Sequence, residues 1–283
     1  MALEKKIRAM TESNDHDHPL FAASALDYDL PLAPQIARLL RRAIVTLNIE
    51  PGERLSEQEV ANAFGLNRHA IREAFLLLRD SGLIRVMPQR GTMVLKISPE
   101  GLENASFVRE ALECAAARAA AVLRDPTALA RLEANLAVQR QLAKQKNPEA
   151  FFECDDSFHH LIAEAAGRSI AWDIVDDYKP QLDRLRYLSI DIKIKDRLTA
   201  DSAFENSLHD HQAIVAAIKK GDADEAELQM RNHLGRIMAA LPRLASSYPD
   251  MFASDPHSKP GASAQQGQGR RRIGRANQTV RSI

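Results

Sequence analysis

The chain has 283 residues, enough for two domains of ordinary size, and as many acidic as basic side chains, for a formal net charge of zero. Two cysteines far apart cannot build a disulfide scaffold, and no apolar run approaches the length that spans a bilayer, so a stapled secreted module and a membrane-spanning protein are both excluded. Zero net charge also excludes a uniformly basic nucleic-acid binder, but the average hides a segregation. Residues 35–96 carry ten Lys or Arg against six Asp or Glu, whereas residues 97–253 carry nineteen against twenty-five. The positive field is therefore local to the first third of the chain.

Residues 1–33 mix charge and histidine with little periodicity and are expected to form a flexible arm, in which Asp15 to His18 is a solvated tract. With no apolar leader, the expected location is cytoplasmic, and Cys114 and Cys154 read as small buried thiols of a reducing compartment. Ordered structure is expected from Pro34. Ile36, Leu39, Leu40, Ala43 and Leu47 then mark an amphipathic helix that ends before the turn at Pro51-Gly52.

Ser56 and Glu59 have the spacing of a capping box. The helix they start buries Val60, Ala61 and Phe64 and stops at Gly65. Asn67 can cap a second helix, where Ile71, Ala74, Phe75 and Leu78 form the buried stripe. Arg68 and Arg72 stand one turn apart on its other face beside His69. Two β-prone runs follow, 83–87 and 92–96, joined by Pro88, Gln89, Arg90 and Gly91, so a hairpin is predicted with an arginine, an amide and a glycine backbone at its tip.

Beyond Lys96 the pattern is helical. Ser98-Pro99 opens it, and Asp125-Pro126, Asn147-Pro148, Gly167 and Gly221-Asp222 divide it into six predicted helices: 99–124, 126–145, 148–166, 169–190, 198–219 and 222–244. Short connections predict an antiparallel bundle. Residues 247–283 turn to Ser, Gly, Gln and Pro and end in Arg270, Arg271, Arg272, Arg275 and Arg281, a disordered basic tail by composition. The expected domains are thus an arm (1–33), a domain of helices and a hairpin (34–97), a helical domain (98–246) and the tail (247–283), in a mainly α protein.

Asp155 and His159 share a helix face. His211 and His233 flank the Gly221-Asp222 turn, on arms that are roughly 15 and 18 Å long at about 1.5 Å of rise per residue, so they reach nearly the same height of a helical hairpin. One carboxylate and three imidazoles would suit a borderline divalent ion such as zinc, nickel or manganese. Spacing alone leaves a second reading open, in which these are ordinary satisfied histidines of a core or surface.

The runs LSEQEVA (55–61), GLNRHAIREA (65–74), GLI (82–84) and PQRG (88–91) resemble the winged helix-turn-helix of GntR-type transcriptional regulators. The resemblance implies operator contacts from Asn67, Arg68, His69, Ala70 and Arg72, with Gln89, Arg90 and Gly91 in the wing. Where that family usually has Ser or Thr before the first arginine and Thr-Pro after it, this chain has Asn67 and His69-Ala70, so the operator sequence does not carry over. The runs DDSFH (155–159), HQAI (211–214), GD (221–222) and MRNHL (230–234) look like the effector domain of the FCD branch of the same family. That branch implies a divalent ion on Asp155, His159, His211 and His233 and a small carboxylate bound beside it. Arg109, in VREALE (108–113), matches an arginine that commonly faces the effector pocket, where its planar fork suits a carboxylate; a salt bridge to Glu113 is the other reading. Arg184 and Arg186 are weaker pocket candidates.

The expected protein is a homodimeric, effector-responsive transcriptional regulator of a pseudo-palindromic operator, more fitting as a repressor than an activator. It is not expected to be an enzyme. The alternatives are a metal-dependent hydrolase using the Asp/His site, which lacks an evident general base, and a regulator that senses the metal itself.

Overall fold

The computed structural model describes residues 26–87, 89, 91–145, 148–195 and 200–253. The Asp15–His18 tract, Arg90 and the tail arginines lie outside the described residues. The first helix, α1 (Leu32–Val45), starts before the expected Pro34, and the reason is Gln35. Its side chain accepts from the N–H of Asp27 at 2.8 Å and donates to the carbonyls of Asp27 and Pro31, which draws the preceding segment onto the lobe and buries Leu26.

A two-residue strand, β1 (Arg54–Leu55), precedes α2 (Glu57–Phe64) and α3 (Arg68–Asp80). Ser56 Oγ accepts from the N–H of Glu59, and Gly65 closes α2 in the left-handed region at φ 66°, a conformation glycine adopts without steric cost. Asn67 Oδ1 accepts from the N–H groups of both His69 and Ala70, which caps α3. The hairpin strands are β2 (Ile84–Met87) and β3 (Gly91–Val94), paired antiparallel with Ile84 opposite Val94. Both are shorter than predicted, and β1 adds to the far side of β3 to give a three-stranded sheet in the order β1-β3-β2. Ile36, Leu40, Ile44, Leu55, Val60, Ile71, Leu78, Leu83 and Val94 make one core beneath α1–α3 and the wing, each side chain contributing about 1.5–3 kcal/mol on burial.

Seven helices follow among the described residues, where six were predicted: α4 (Pro99–Leu123), α5 (Pro126–Gln145), α6 (Pro148–Ala165), α7 (Ser169–Tyr178), α8 (Pro180–Lys195), α9 (Ala200–Lys220) and α10 (Ala223–Ser247). The predicted helix over 169–190 is two, because Pro180 has no N–H to continue the ladder of α7. Helix α4 packs along α10, α6 lies against α5 and α4, and α9 pairs with α10. Past α10, Ile97 and Phe252 form a parallel bridge, so the described chain ends packed against the connection between lobes, beyond the expected limit of 246. No helix among the described residues is long and apolar enough to cross a membrane.

Candidate metal centre and DNA-reading surface

On the exposed face of α3, Arg68 and Arg72 both reach the same carboxylate. Their Nη2 atoms lie 3.3 and 3.4 Å from Glu57 Oε2 on α2, so one acidic residue holds the two arginines together. His69 pairs with Glu73 at 3.3 Å, one turn on. Gln89 is exposed at the wing tip with φ 62°, and Gly91 follows with φ 78°.

Asp155, His159, His211 and His233 come from three helices, α6, α9 and α10, and each offers one ligand atom within 4.8 Å of the others. Asp155, His159 and His211 are buried, and His233 is half-buried. The Nε2 atoms of His211 and His233 are 3.2 Å apart, and His211 Nε2 lies 3.5 Å from Asp155 Oδ1. His159 Nε2 is buried without a hydrogen-bond partner, and Asp155 Oδ2 is 3.7 Å away. Two imidazoles have a hydrogen-bond acceptor at the other nitrogen, His211 Nδ1 facing Gln139 Oε1 at 2.8 Å and His233 Nδ1 facing Asp210 Oδ2 at 3.3 Å, and His159 Nδ1 lies in ion-pair contact with the Glu113 carboxylate.

That arrangement fixes which nitrogen carries the proton. A proton on each Nδ1 leaves three Nε2 lone pairs turned toward one another and toward a carboxylate, an unfavourable juxtaposition that a cation relieves. The electrostatics run the same way. Burial, with His233 beside it, pushes His211 well below the usual imidazole range, and burial also lowers His233, so both are neutral at neutral pH. Burial works against ionisation of Asp155, but the Arg186 guanidinium beside it outweighs that and holds the carboxyl well below its ordinary value. Two neutral imidazoles and a carboxylate, with His159 Nε2 bare beside them, are what a borderline divalent ion requires, so these residues fit one.

Two of the three arginines expected to face an effector, Arg109 and Arg186, are engaged inside the protein beside the cluster, and the third, Arg184, donates instead to the carbonyl of Leu95. Arg109, buried on α4, donates through Nε to Glu113, and Arg186 donates to Asp155 and, at 3.0 Å, to Asp183. Asp183 and Asp156 in turn hold Lys179 Nζ, which closes a charged network around the cluster. Gln139 and Asp210, as partners of the histidines, were not anticipated. Gln139 follows Leu132 and Leu136 on one stripe of α5, and a glutamine on a buried stripe is the signal that could have found it. Cys114 is buried and Cys154 half-buried, so the expectation of two buried thiols holds only for Cys114.

A winged helix-turn-helix joined to a helical bundle with a polar centre defines the architecture of a DNA-binding transcriptional regulator. The FCD domain matches residues 105–236, and the domain described as bacterial regulatory proteins, gntR family, matches residues 32–94. The chain is 40% identical over 225 residues to the HTH-type transcriptional repressor RspR of Escherichia coli K12, covering 80% of this chain and 95% of that protein. It is 32% identical over 221 residues to an HTH-type transcriptional regulator from an unstable DNA locus of Streptomyces ambofaciens, covering 78% and 89% of the two chains. The solved structure of E. coli McbR/YncC superposes with a TM-score of 0.65 at 18% identity, over 77% of this chain and 99% of that one, a likeness of fold. The chain belongs to the GntR family of bacterial transcriptional regulators, in its FCD branch, whose members are regulators and not enzymes.

Proposed function

We propose that this regulator is a homodimeric repressor whose operator affinity is set by a divalent ion and a small carboxylate bound in the helical domain. Residues 34–97 read the halves of a pseudo-palindromic operator, and residues 98–246 bind the ligand and hold the dimer. The observation that carries this reading is the anchoring of His211 and His233 by hydrogen bonds at Nδ1, with His159 Nδ1 set against the Glu113 carboxylate, which turns the three Nε2 atoms toward one another and Asp155. Zinc, nickel or manganese would be held by Asp155, His159, His211 and His233, leaving coordination positions for a carboxylate oxygen.

One observation favours a second reading, in which the ion itself is the signal. Arg109 and Arg186 already pair with Glu113 and Asp155, so a carboxylate would have to compete for them. A single experiment separates the two. Purified protein, stripped and reloaded with each ion, is titrated against DNA from its own promoter, with and without a panel of small organic acids. Weakened binding only when acid and ion are both present supports the first reading, and weakened binding with the ion alone supports the second. No operator response to either would overturn both.

A further inference from the structure

Helix α8 has two working faces. At 100° per residue, Gln181 and Arg184 lie about 60° apart on one face, while Asp183 and Arg186 lie on the opposite face, toward the cluster. Gln181 Nε2 donates to the carbonyl of Gly82 at 2.9 Å, and Arg184 donates to the carbonyl of Leu95 and to Gln181 Oε1. Gly82 is the left-handed turn residue that follows α3, and Leu95 is the residue after β3, whose N–H bonds back to Leu83 at 2.8 Å. The grip therefore falls where the recognition helix exits and the wing begins.

The cost of that grip is unusual. Arg184 is fully buried, its Nε has no hydrogen-bond partner, and among the described residues no carboxylate pairs with it. A buried guanidinium without a counter-charge is a poor way to stabilise an interface that an apolar side chain of similar volume would fill. On the other face Arg186 is bound to Asp155, a member of the proposed ion site, and Asp183 shares Arg186 with it. An ion on Asp155 draws on the same carboxylate that holds Arg186, so the two compete for one charge.

We propose that Gln181 and Arg184 are positioning residues that transmit the state of the Asp155 cluster to the recognition helix and wing through α8. This rests on the cluster acting as the ligand site, but the structural link through Arg186 exists without any ion. Coupling between two places is a free energy, measured by perturbing one and reading the other. The experiment uses the full chain and hydrogen exchange at the amides of Leu83 and Leu95, whose N–H groups bond to Leu78 and Leu83. The cluster is perturbed in two ways, by adding nickel to stripped protein and by Asp155→Asn, which needs no ion.

Exchange at these amides should change by about fivefold or more under Asp155→Asn, the lower end of usual couplings, and the change should vanish when Arg184→Met is combined with it. Gln181→Leu, which removes the Gly82 contact and the acceptor of Arg184 Nη2 but leaves the bond from Arg184 to Leu95, should reduce the change and serves if Arg184→Met does not fold. Unchanged exchange under Asp155→Asn, or an equal change in both backgrounds, overturns the proposal. Nickel should repeat the effect in wild-type protein; if Asp155→Asn acts and nickel does not bind, the ion reading fails while the transmission through α8 stands.

Discussion

Gln139 Oε1 sits 2.8 Å from His211 Nδ1, at the end of a chain of hydrogen bonds that begins at the carbonyl of Cys154. Asn135 donates to that carbonyl and accepts from Gln139 Nε2 at 2.7 Å, so the amide of Gln139 is oriented with its oxygen toward the imidazole. The orientation dictates that His211 carries its proton on Nδ1 and presents Nε2 bare. Gln139→Leu should keep the fold but free the ring, and ion affinity should fall by roughly 10–100-fold, as is usual when such an outer partner is lost. Competition titration against a chromogenic chelator measures it.

Arg68 and Arg72 share Glu57 in the protein without DNA, and on the proposed reading that pairing is exchanged for base edges when α3 enters the major groove. Arg68→Ala or Arg72→Ala should each weaken operator binding by about 1–3 kcal/mol, with a smaller loss on random DNA. Arg90→Ala should weaken operator and random DNA alike and reduce the salt slope, as expected of a phosphate contact. Fluorescence anisotropy at several salt concentrations separates the two behaviours.

Arg109 is the cation that keeps Glu113 ionised behind His159. Burial opposes ionisation there, but Arg109 and His159 outweigh it and hold the Glu113 carboxyl at about 2. Arg109→Met removes the cation and leaves a buried carboxylate unbalanced, at a cost of about 3–5 kcal/mol. The expected result is a lower Tm together with weaker ion binding, because the acceptor that orients His159 is disturbed. A variant that kept full ion affinity would show that Glu113 does not orient the ring.

Lys179 is balanced by Asp183 at 2.7 Å and by Asp156, and this network sets a pH window. Burial disfavours the ammonium, yet the charges of Asp183 and Asp156 prevail and raise Lys179 above its ordinary value, while Lys179 and Arg186 lower Asp183. The raised lysine adds stability that is complete below the unfolded value near 10.4 and is lost as pH rises through the folded value. The lowered carboxyl adds stability that is complete above the unfolded value near 3.9 and is lost as pH falls toward the folded one. Lys179→Met should therefore cost about 3–5 kcal/mol near neutral pH and flatten the alkaline limb of a Tm-against-pH profile.

Much of this was legible in the chain because the signals are local. The Ser56 and Asn67 caps, the Gly65 stop and the buried stripe of α3 each depend on residues within one turn, and so does the sharing of a face by Asp155 and His159. The height match of His211 and His233 followed from counting residues on either side of a turn. What was not legible depends on which helices pack. Glu113 on α4, Gln139 on α5 and Asp210 on α9 become partners of the three histidines only through the bundle, and Gln181 and Arg184 meet Gly82 and Leu95 across nearly a hundred residues. The strand β1 was missed because two residues give no alternation to read, and the break at Pro180 because the apolar pattern runs through it.

Asp155, His159, His211 and His233 are proposed to form one site for one divalent ion. Calorimetric titration of nickel or zinc into stripped wild-type protein and into His211→Ala, with metal analysis of the dialysed products, tests it most directly. One ion per chain in the wild type, and an affinity lost by the variant, is the expected result. Equal ion content and affinity in His211→Ala would contradict the claim and leave the four residues as polar groups of the bundle core.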